Sequence, residues 1–264
     1  MLDILTYKIV CARKDWKYTR QFITDRHDHQ RHIAGTRRRD EQEISEKPKI
    51  IKKILKDTDD KRLIVILEKA SLETVKVGQK YELLCCDRHS GVGKRIKKDI
   101  STRRPDITHQ CLLMLMDSPL NRAGLLQVYV RTEKNVLIEI NPQTRIPRIF
   151  DRFCGLMVQL LDKLSIRASD GPQKLLKVIK NPVSDHLTTG CPKFAMSYSA
   201  DKVIDVRDVV PRHGPAVFVI GAMAHGSVSP DYTERSFSIS NYPLSAAITC
   251  SKVCSAFEEV WGVK

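Results

Sequence analysis

The stretch Ala216-Val-Phe-Val-Ile-Gly-Ala-Met-Ala-His-Gly226 is an apolar run, rich in β-branched residues, that ends between two glycines. A run of this kind suits a strand covered on both faces, as in a parallel sheet flanked by helices. It falls far short of the roughly 20 apolar residues a membrane helix needs, so no membrane partner is expected. Around it, short apolar segments at Leu175–Ile179, Lys193–Ser197 and Phe237–Ile239 alternate with helical patterns, the last from Ser245 to Trp261. Strands alternating with helices predict a largely parallel α/β sheet, and such sheets bind ligands in the loops at the carboxyl ends of their strands.

The pattern continues upstream. Arg62–Glu68 (RLIVILE) reads as another doubly covered strand, and Asp106 opens a helix, DITHQCLLMLMDS, that Pro119 ends. Gln127–Thr132 and Val136–Ile140, joined by a short polar link, predict a β-hairpin. Ile149–Ile166 carries apolar residues at helical spacing and predicts a long helix whose stripe faces the core. Lys94–Ile100 reads as a cationic helix.

Residues 1–60 differ in composition: charges crowd together and apolar residues keep no period. Such a segment cannot offset its chain entropy by burial. It is expected to be a basic, mobile extension, with short helices around Asp15–Arg26 and Ile50–Leu55, and residues 61–264 form the folded domain. His27, His29 and His32 in the extension read as a solvated polar face rather than a metal site, and no metal is expected. The 264 residues carry 45 Lys+Arg against 31 Asp+Glu, a net charge of +14. That excess points to a polyanionic partner, nucleic acid before an anionic membrane surface, although solubility alone is also served by it. No signal segment opens the sequence, so the eight cysteines are expected to be reduced in an intracellular setting. Cys85-Cys86 and Cys250/Cys254 have no CxxC spacing and read as small buried residues.

Three features carry possible chemistry. Gly221 and Gly226 end the opening strand and let backbone approach a ligand, although a strand ending in glycine is ordinary. The stretch is not a dinucleotide fingerprint, because G-x-G-x-x-G is absent, and no phosphate-cradling Gly-Lys-Ser/Thr follows it. Ser238–Ser245 turns through Asn241 and Pro243 into the last helix, where amides, Ser240 and Asn241 hold a polar ligand end, or Ser245 simply caps the helix. Arg145, Arg148 and Arg152 lie at i, i+3 and i+7, with Pro147 placed to open a helix and Arg145 at its entrance. Wherever that segment is helical they line one face, a ladder for phosphates or a solvated cationic face. Arg103-Arg104 adds a second group near Lys94, Arg95, Lys97 and Lys98, with Asp106 in reach of Arg104.

Arg104-Pro-Asp-Ile-Thr-His-Gln-Cys-Leu-Leu, Asp117-Ser-Pro-Leu-Asn, Arg145-Ile-Pro-Arg148, Arg152-Phe, Gly155-Leu-Met-Val-Gln-Leu-Leu, Lys174-Leu-Leu-Lys-Val-Ile-Lys-Asn-Pro, Gly221-Ala-Met-Ala and Ser240-Asn-Tyr-Pro-Leu-Ser-Ala together resemble the Emg/Nep family of ribosome-assembly proteins, of the SPOUT methyltransferase class. The resemblance runs from about Arg62 to Val263. It implies an α/β fold with a deep trefoil knot and a family-specific β-hairpin insertion, working as a homodimer. It also implies S-adenosylmethionine as cofactor and N1 methylation of a pseudouridine in small-subunit rRNA, in the nucleolus or nucleus among pre-ribosomal assembly factors. The alternative it leaves open is an rRNA-binding scaffold whose methyl transfer is dispensable.

Carried onto this sequence, the cofactor site implied is Met196, Ser197, Gly221, Gly226, Ile239, Ser240, Asn241, Tyr242, Pro243 and Leu244. The rRNA contacts implied are Arg104, Arg145, Arg148 and Arg152, with Asp106 holding Arg104. No residue declares itself as general base. A carboxylate already held by an arginine is a poor one, so Asp106 is assigned an orienting role. His225 departs from the family pattern, which has arginine after Gly-Ala-Met-Ala.

Overall fold

β1 (Arg62–Ala70) is the strand around which the sheet is built: Leu63 through Glu68 are all buried. Its side chains divide with the pleat. Leu63, Val65 and Leu67 enter one core cluster, and Ile64 and Ile66 enter another on the opposite face. β9 (Pro215–Gly221) pairs with β1 in parallel and repeats the division, with Ala216, Phe218 and Ile220 on one face and Val217 and Val219 on the other. Doubly covered strands are why both segments read as continuous apolar runs.

The structure is a computed structural model describing residues 61–91, 100–169 and 171–264, all in the unit Thr58–Lys264. The expectations placed on residues 1–60 and on the cationic helix over Lys94–Ile100, of which only Ile100 is described, lie outside these residues. With β4 (Leu126–Thr132), β5 (Leu137–Ile140), β6 (Ser165–Arg167), β7 (Lys174–Ile179), β8 (Lys193–Met196) and β10 (Arg235–Phe237), the sheet has the order β10-β8-β9-β1-β4-β5-β7-β6. The pairings from β10 to β4 are parallel, and those from β4 to β6 antiparallel.

The expected hairpin is β4–β5, with Val130 opposite Ile138. A second, separate hairpin joins β2 (Thr74–Val77) and β3 (Lys80–Leu83) through Gly78 at φ +61°. β7 departs from the largely parallel expectation. The long helix is α3 (Phe150–Lys163), shorter than expected, because Leu164 turns left-handed at φ 60° and Ser165 begins β6. The six residues between β6 and β7 are too few for a crossover helix, so the two strands pair antiparallel.

One face of the sheet is covered by α1 (Pro105–Met116), α3 and α5 (Ala246–Trp261), whose core-facing side chains include Cys111, Leu112, Leu115, Phe153, Leu160, Val253 and Phe257. Phe218 and Phe257 meet edge to face at 5.4 Å, which fixes α5 over β9. α1 begins one residue before Asp106, with Pro105 in its first turn, where a missing N–H costs nothing. Ser118 caps the short α2 (Pro119–Arg122), and α4 (Val206–Val209) is a single turn capped by Asp205. The seven described cysteines are free thiols; Cys86 is half-buried and the rest are buried, with burial pushing Cys254 up to about 12. No described helix is long and apolar enough to cross a membrane.

Candidate active site

Three parallel strands, β8, β9 and β10, end at the same edge of the sheet, and the loops that leave them enclose a cleft of about 400 Å³. Its walls are Met196 and Ser197 after β8, Ile220 and Gly221 at the end of β9, Met223 to Val228 in the next loop, Phe237 to Ser240 after β10, and the entrance to α5. Ile107 and Gln110 of α1, one helical turn apart, close it from the side together with Arg104. The site therefore lies at the strand ends where open α/β sheets bind ligands.

The glycines act differently. A Cβ at Gly221 would stand 3.0 Å from Val228 Cγ2 and 3.1 Å from Met223 Cε, so a side chain there requires these two neighbours to give way. Gly226 has room for one but adopts φ +103°, which L residues avoid. The turn after β10 is held by its own serines. Ser238 Oγ donates to the Ser240 carbonyl at 2.8 Å, and Ser240 Oγ accepts the Tyr242 N–H at 3.0 Å. Ser245 caps α5 by accepting the Ile248 N–H, so the capping role read from sequence is real, and the same turn also lines the cleft.

Of the expected cofactor residues, Met196, Ser197, Gly221, Gly226, Ile239, Ser240, Tyr242 and Leu244 all line the cleft. Asn241 and Pro243, exposed in the same turn, do not. Sequence reasoning did not single out Ile107, Gln110, Ala246, Ala247 or Thr249, which enter the lining because α1 and α5 fold over the strand ends, nor Tyr198 and Met223, which lie in the loops leaving β8 and β9. Only the i, i+3 spacing of Ile107/Gln110 and Ala246/Thr249 marked them as sharing a helix face.

Arg104 reaches the cleft already fastened: its Nε and Nη2 donate to the two carboxylate oxygens of Asp106 at 2.8 and 2.7 Å. This fork-to-fork pair, with the Asp106 hydrogen bond foremost, raises the Arg104 pKa further and occupies Nε and Nη2, leaving Nη1 outside the pair. Arg103 is different: it pairs with Glu133 and is mostly buried, so the Arg103-Arg104 group contributes one arginine to the site, not two.

The expected helical ladder of Arg145, Arg148 and Arg152 is corrected by the structure. Helix α3 starts only at Phe150, and residues 141–149 form an irregular loop because Pro142 and Pro147 lack N–H groups and Ile146 and Thr144 are drawn into the interior. Thr144 Oγ1 donates to the Leu175 carbonyl and Asn121 Nδ2 to the Pro142 carbonyl. His109, buried and stacked on Phe153 at 4.5 Å, hydrogen-bonds the Pro147 carbonyl at 2.7 Å. Arg145, Arg148 and Arg152 are thus displayed by a rigid loop and the first turn of α3, all exposed, with Arg148 steadied by Asp117 at 2.8 Å. α1 joins the two arginine groups, since Arg104 precedes it, His109 anchors the loop and Asp117 follows its last turn. Neither His109 nor Asp117 was visible as a partner from spacing, because both contacts span more than 30 residues.

Among the described residues, one grouping of potential metal donors lies within 4.8 Å, Cys85, Cys86 and Asp87, three consecutive positions. Burial, followed by a hydrogen bond to Asp87, raises the Cys86 thiol, which disfavours the thiolate a metal requires.

A mixed α/β sheet with its cleft at the ends of three parallel strands, closed by the terminal helix, fits the SPOUT methyltransferase fold that the resemblance implied. The crystal structure of Archaeoglobus fulgidus Nep1 bound to S-adenosylhomocysteine superimposes with a TM-score of 0.65 at 26% identity, covering 77% of this chain and 99% of that one. The chain belongs to the EMG1/NEP1 methyltransferase family, whose profile matches residues 65–258. It is 70% identical over 203 residues to the mouse ribosomal RNA small subunit methyltransferase NEP1, covering 77% of this chain and 83% of the relative. The Drosophila melanogaster protein of the same name is 60% identical over 236 residues, covering 86% and 93%.

Proposed function

We propose that this protein transfers a methyl group from S-adenosylmethionine to N1 of a pseudouridine in small-subunit rRNA. The observation that carries the reading is the cleft at the ends of β8, β9 and β10, in a chain whose fold is shared with a structure holding S-adenosylhomocysteine. The residues present fit the cofactor. The lining residues Met196, Ile220, Phe237 and Leu244 are apolar, Gly221 leaves space that a Cβ would crowd against Val228 and Met223, and the volume suits a nucleoside-sized ligand.

S-adenosylmethionine supplies an electrophilic methyl on its sulfonium, so what remains for the protein is alignment and the removal of one proton. Arg104, held by Asp106, stands at the mouth of the cleft to bind a phosphate of the RNA strand and bring the target base inward. Arg145, Arg148 and Arg152 extend the cationic track along the loop beside α1. No carboxylate lines the cleft among the described residues, and His225 is the only imidazole there. A base must leave its stack to enter such a cleft, which favours an RNA loop as substrate.

Function as a homodimer is part of the same proposal, supported by Met114 of α1 and Ile248 of α5, half-exposed on the two helices that flank the cleft. So is action in the nucleolus or nucleus among pre-ribosomal particles, a setting that suits the proposed substrate and the net charge of +14. The test is methyl transfer from labelled S-adenosylmethionine to an RNA hairpin containing one pseudouridine, with a uridine hairpin as control. Transfer to N1 of pseudouridine alone is expected, and S-adenosylhomocysteine binding with no transfer to any such hairpin would sink the reading. Replacing Arg145 and Arg148 together with alanine is expected to weaken RNA binding and to reduce the slope of log affinity against log salt by about 0.7 to 0.9 per lost phosphate contact. An unchanged slope in a salt titration would remove these arginines from the RNA surface.

A further inference from the structure

The carboxylate of Glu68 lies at the carboxyl end of the central strand, 4% exposed, and does not line the cleft. Its partners among the described residues are the Tyr232 hydroxyl, which donates to Oε1 at 2.7 Å, and Arg131 Nη1 at 3.3 Å. Arg131 is itself braced by Asn135 Oδ1 at 2.8 Å. A buried ion pair contributes little net stability compared with apolar residues of the same volume, so packing alone gives no account of a glutamate here.

Its position does. The loop 222–234 joins β9 to β10 and carries Met223, Ala224, His225, Gly226, Ser227 and Val228, an entire wall of the cleft. That loop is tied to two consecutive residues of β1 at three points. The Glu68 carbonyl accepts the Ala222 N–H at 2.8 Å at its start, Lys69 Nζ donates to the Ser227 carbonyl at 3.2 Å in its middle, and the Glu68 carboxylate holds Tyr232 near its end. Lys69 adopts φ 55°, the left-handed region uncommon for a lysine, at the point where the strand turns to make these ties. Tyr232 and Met223 each pack against the core cluster that includes Ile64, Ile66 and Val228, so the end of the loop and its cleft-lining start rest on the same support. Burial, and then the hydrogen bond to Glu68, push the Tyr232 phenol far above its ordinary range, so it remains a donor throughout the working pH range.

We infer that Glu68 is a positioning residue of the methyltransferase: through Tyr232 it clamps the loop 222–234 in the shape that holds the cofactor, and so sets cofactor affinity from outside the site. This rests on the cofactor reading proposed above. The test is calorimetric titration of the full chain with S-adenosylhomocysteine, together with hydrogen exchange of residues 222–228. Tyr232→Phe removes only the hydroxyl and is the variant most certain to fold. It is expected to weaken binding about 5- to 20-fold and to speed exchange in the loop. Glu68→Ala is expected to do the same or more, and Glu68→Gln, which keeps an acceptor for Tyr232, to recover part of the loss.

Unchanged affinity in Tyr232→Phe, with the unsubstituted protein binding normally, would overturn the inference, even if the thermal midpoint fell, since that pattern marks a merely structural bond. Failure of the unsubstituted protein to bind S-adenosylhomocysteine would instead overturn the cofactor reading itself, and the inference with it.

Discussion

Replacing Gly221 with valine is expected to weaken S-adenosylhomocysteine binding about 10- to 100-fold while RNA binding persists. The added Cβ arrives 3.0 Å from Val228 and 3.1 Å from Met223, and the branched methyls go further. Overpacking of this kind costs about 1–3 kcal/mol, and every 1.4 kcal/mol of it expressed in binding is about tenfold. Val228 is buried in the core, whereas Met223 is flexible and only partly buried, so the methionine yields and moves into the cleft. Calorimetry of the variant checks this, and affinity equal to that of the unsubstituted protein would remove the cleft as the cofactor site. Because Arg145 and Arg148 stand on the 141–149 loop and Arg152 in the first turn of α3, none of them lining the cleft, the variant also separates the two functional readings. Ribosome production that survives loss of cofactor binding would assign the essential role to RNA binding rather than methyl transfer.

Substituting Asp106 by alanine is expected to lower kcat/KM for the RNA about 10- to 100-fold, with S-adenosylhomocysteine affinity close to normal. The carboxylate accepts both ends of the Arg104 fork, and without it the guanidinium is free to turn away from the strand it must hold. A misplaced substrate-positioning group costs on the order of 100-fold in rate even when nothing in the chemistry has changed. The fold should suffer little. The pair is partly exposed, and the acid in the first turn of α1 contributes only about 0.3–1 kcal/mol against the helix dipole. Arg104→Lys is expected to be nearly as harmful as Arg104→Ala, since an ammonium cannot present the planar fork that Asp106 grips. Steady-state kinetics with the pseudouridine hairpin decide the matter. Unaltered kcat/KM in Asp106→Ala would leave Arg104 without a role in substrate positioning.

Much of the candidate site was legible because its chemistry is local. The glycines close the strand, the serine-rich turn precedes the last helix, and Asp106 lies two residues from Arg104, so each was readable within a few positions. The arginine ladder was misread for a corresponding reason. Spacing at i, i+3 and i+7 describes a helix face only if the backbone is helical, and two prolines with a buried isoleucine keep residues 141–149 out of the helix. The arginines are still exposed to solvent, but the loop that carries Arg145 and Arg148 is anchored by a histidine on α1 through the Pro147 carbonyl.

The sequence by itself determined the elements whose causes lie within a few residues: the doubly buried strands β1 and β9, the β4–β5 hairpin, the start of α1 to within one residue of Asp106 and the capped last helix from Ser245. Tertiary structure alone decided how those elements meet. The antiparallel half of the sheet, the closing of the cleft by Ile107, Gln110 and Thr249, the anchoring of Pro147 by His109 and the tie between Glu68 and Tyr232 all join residues far apart in the chain. Periodicity and capping are set by neighbours along the backbone, whereas partners 38 or 164 residues apart are chosen by the packing of the whole domain, which no local pattern contains.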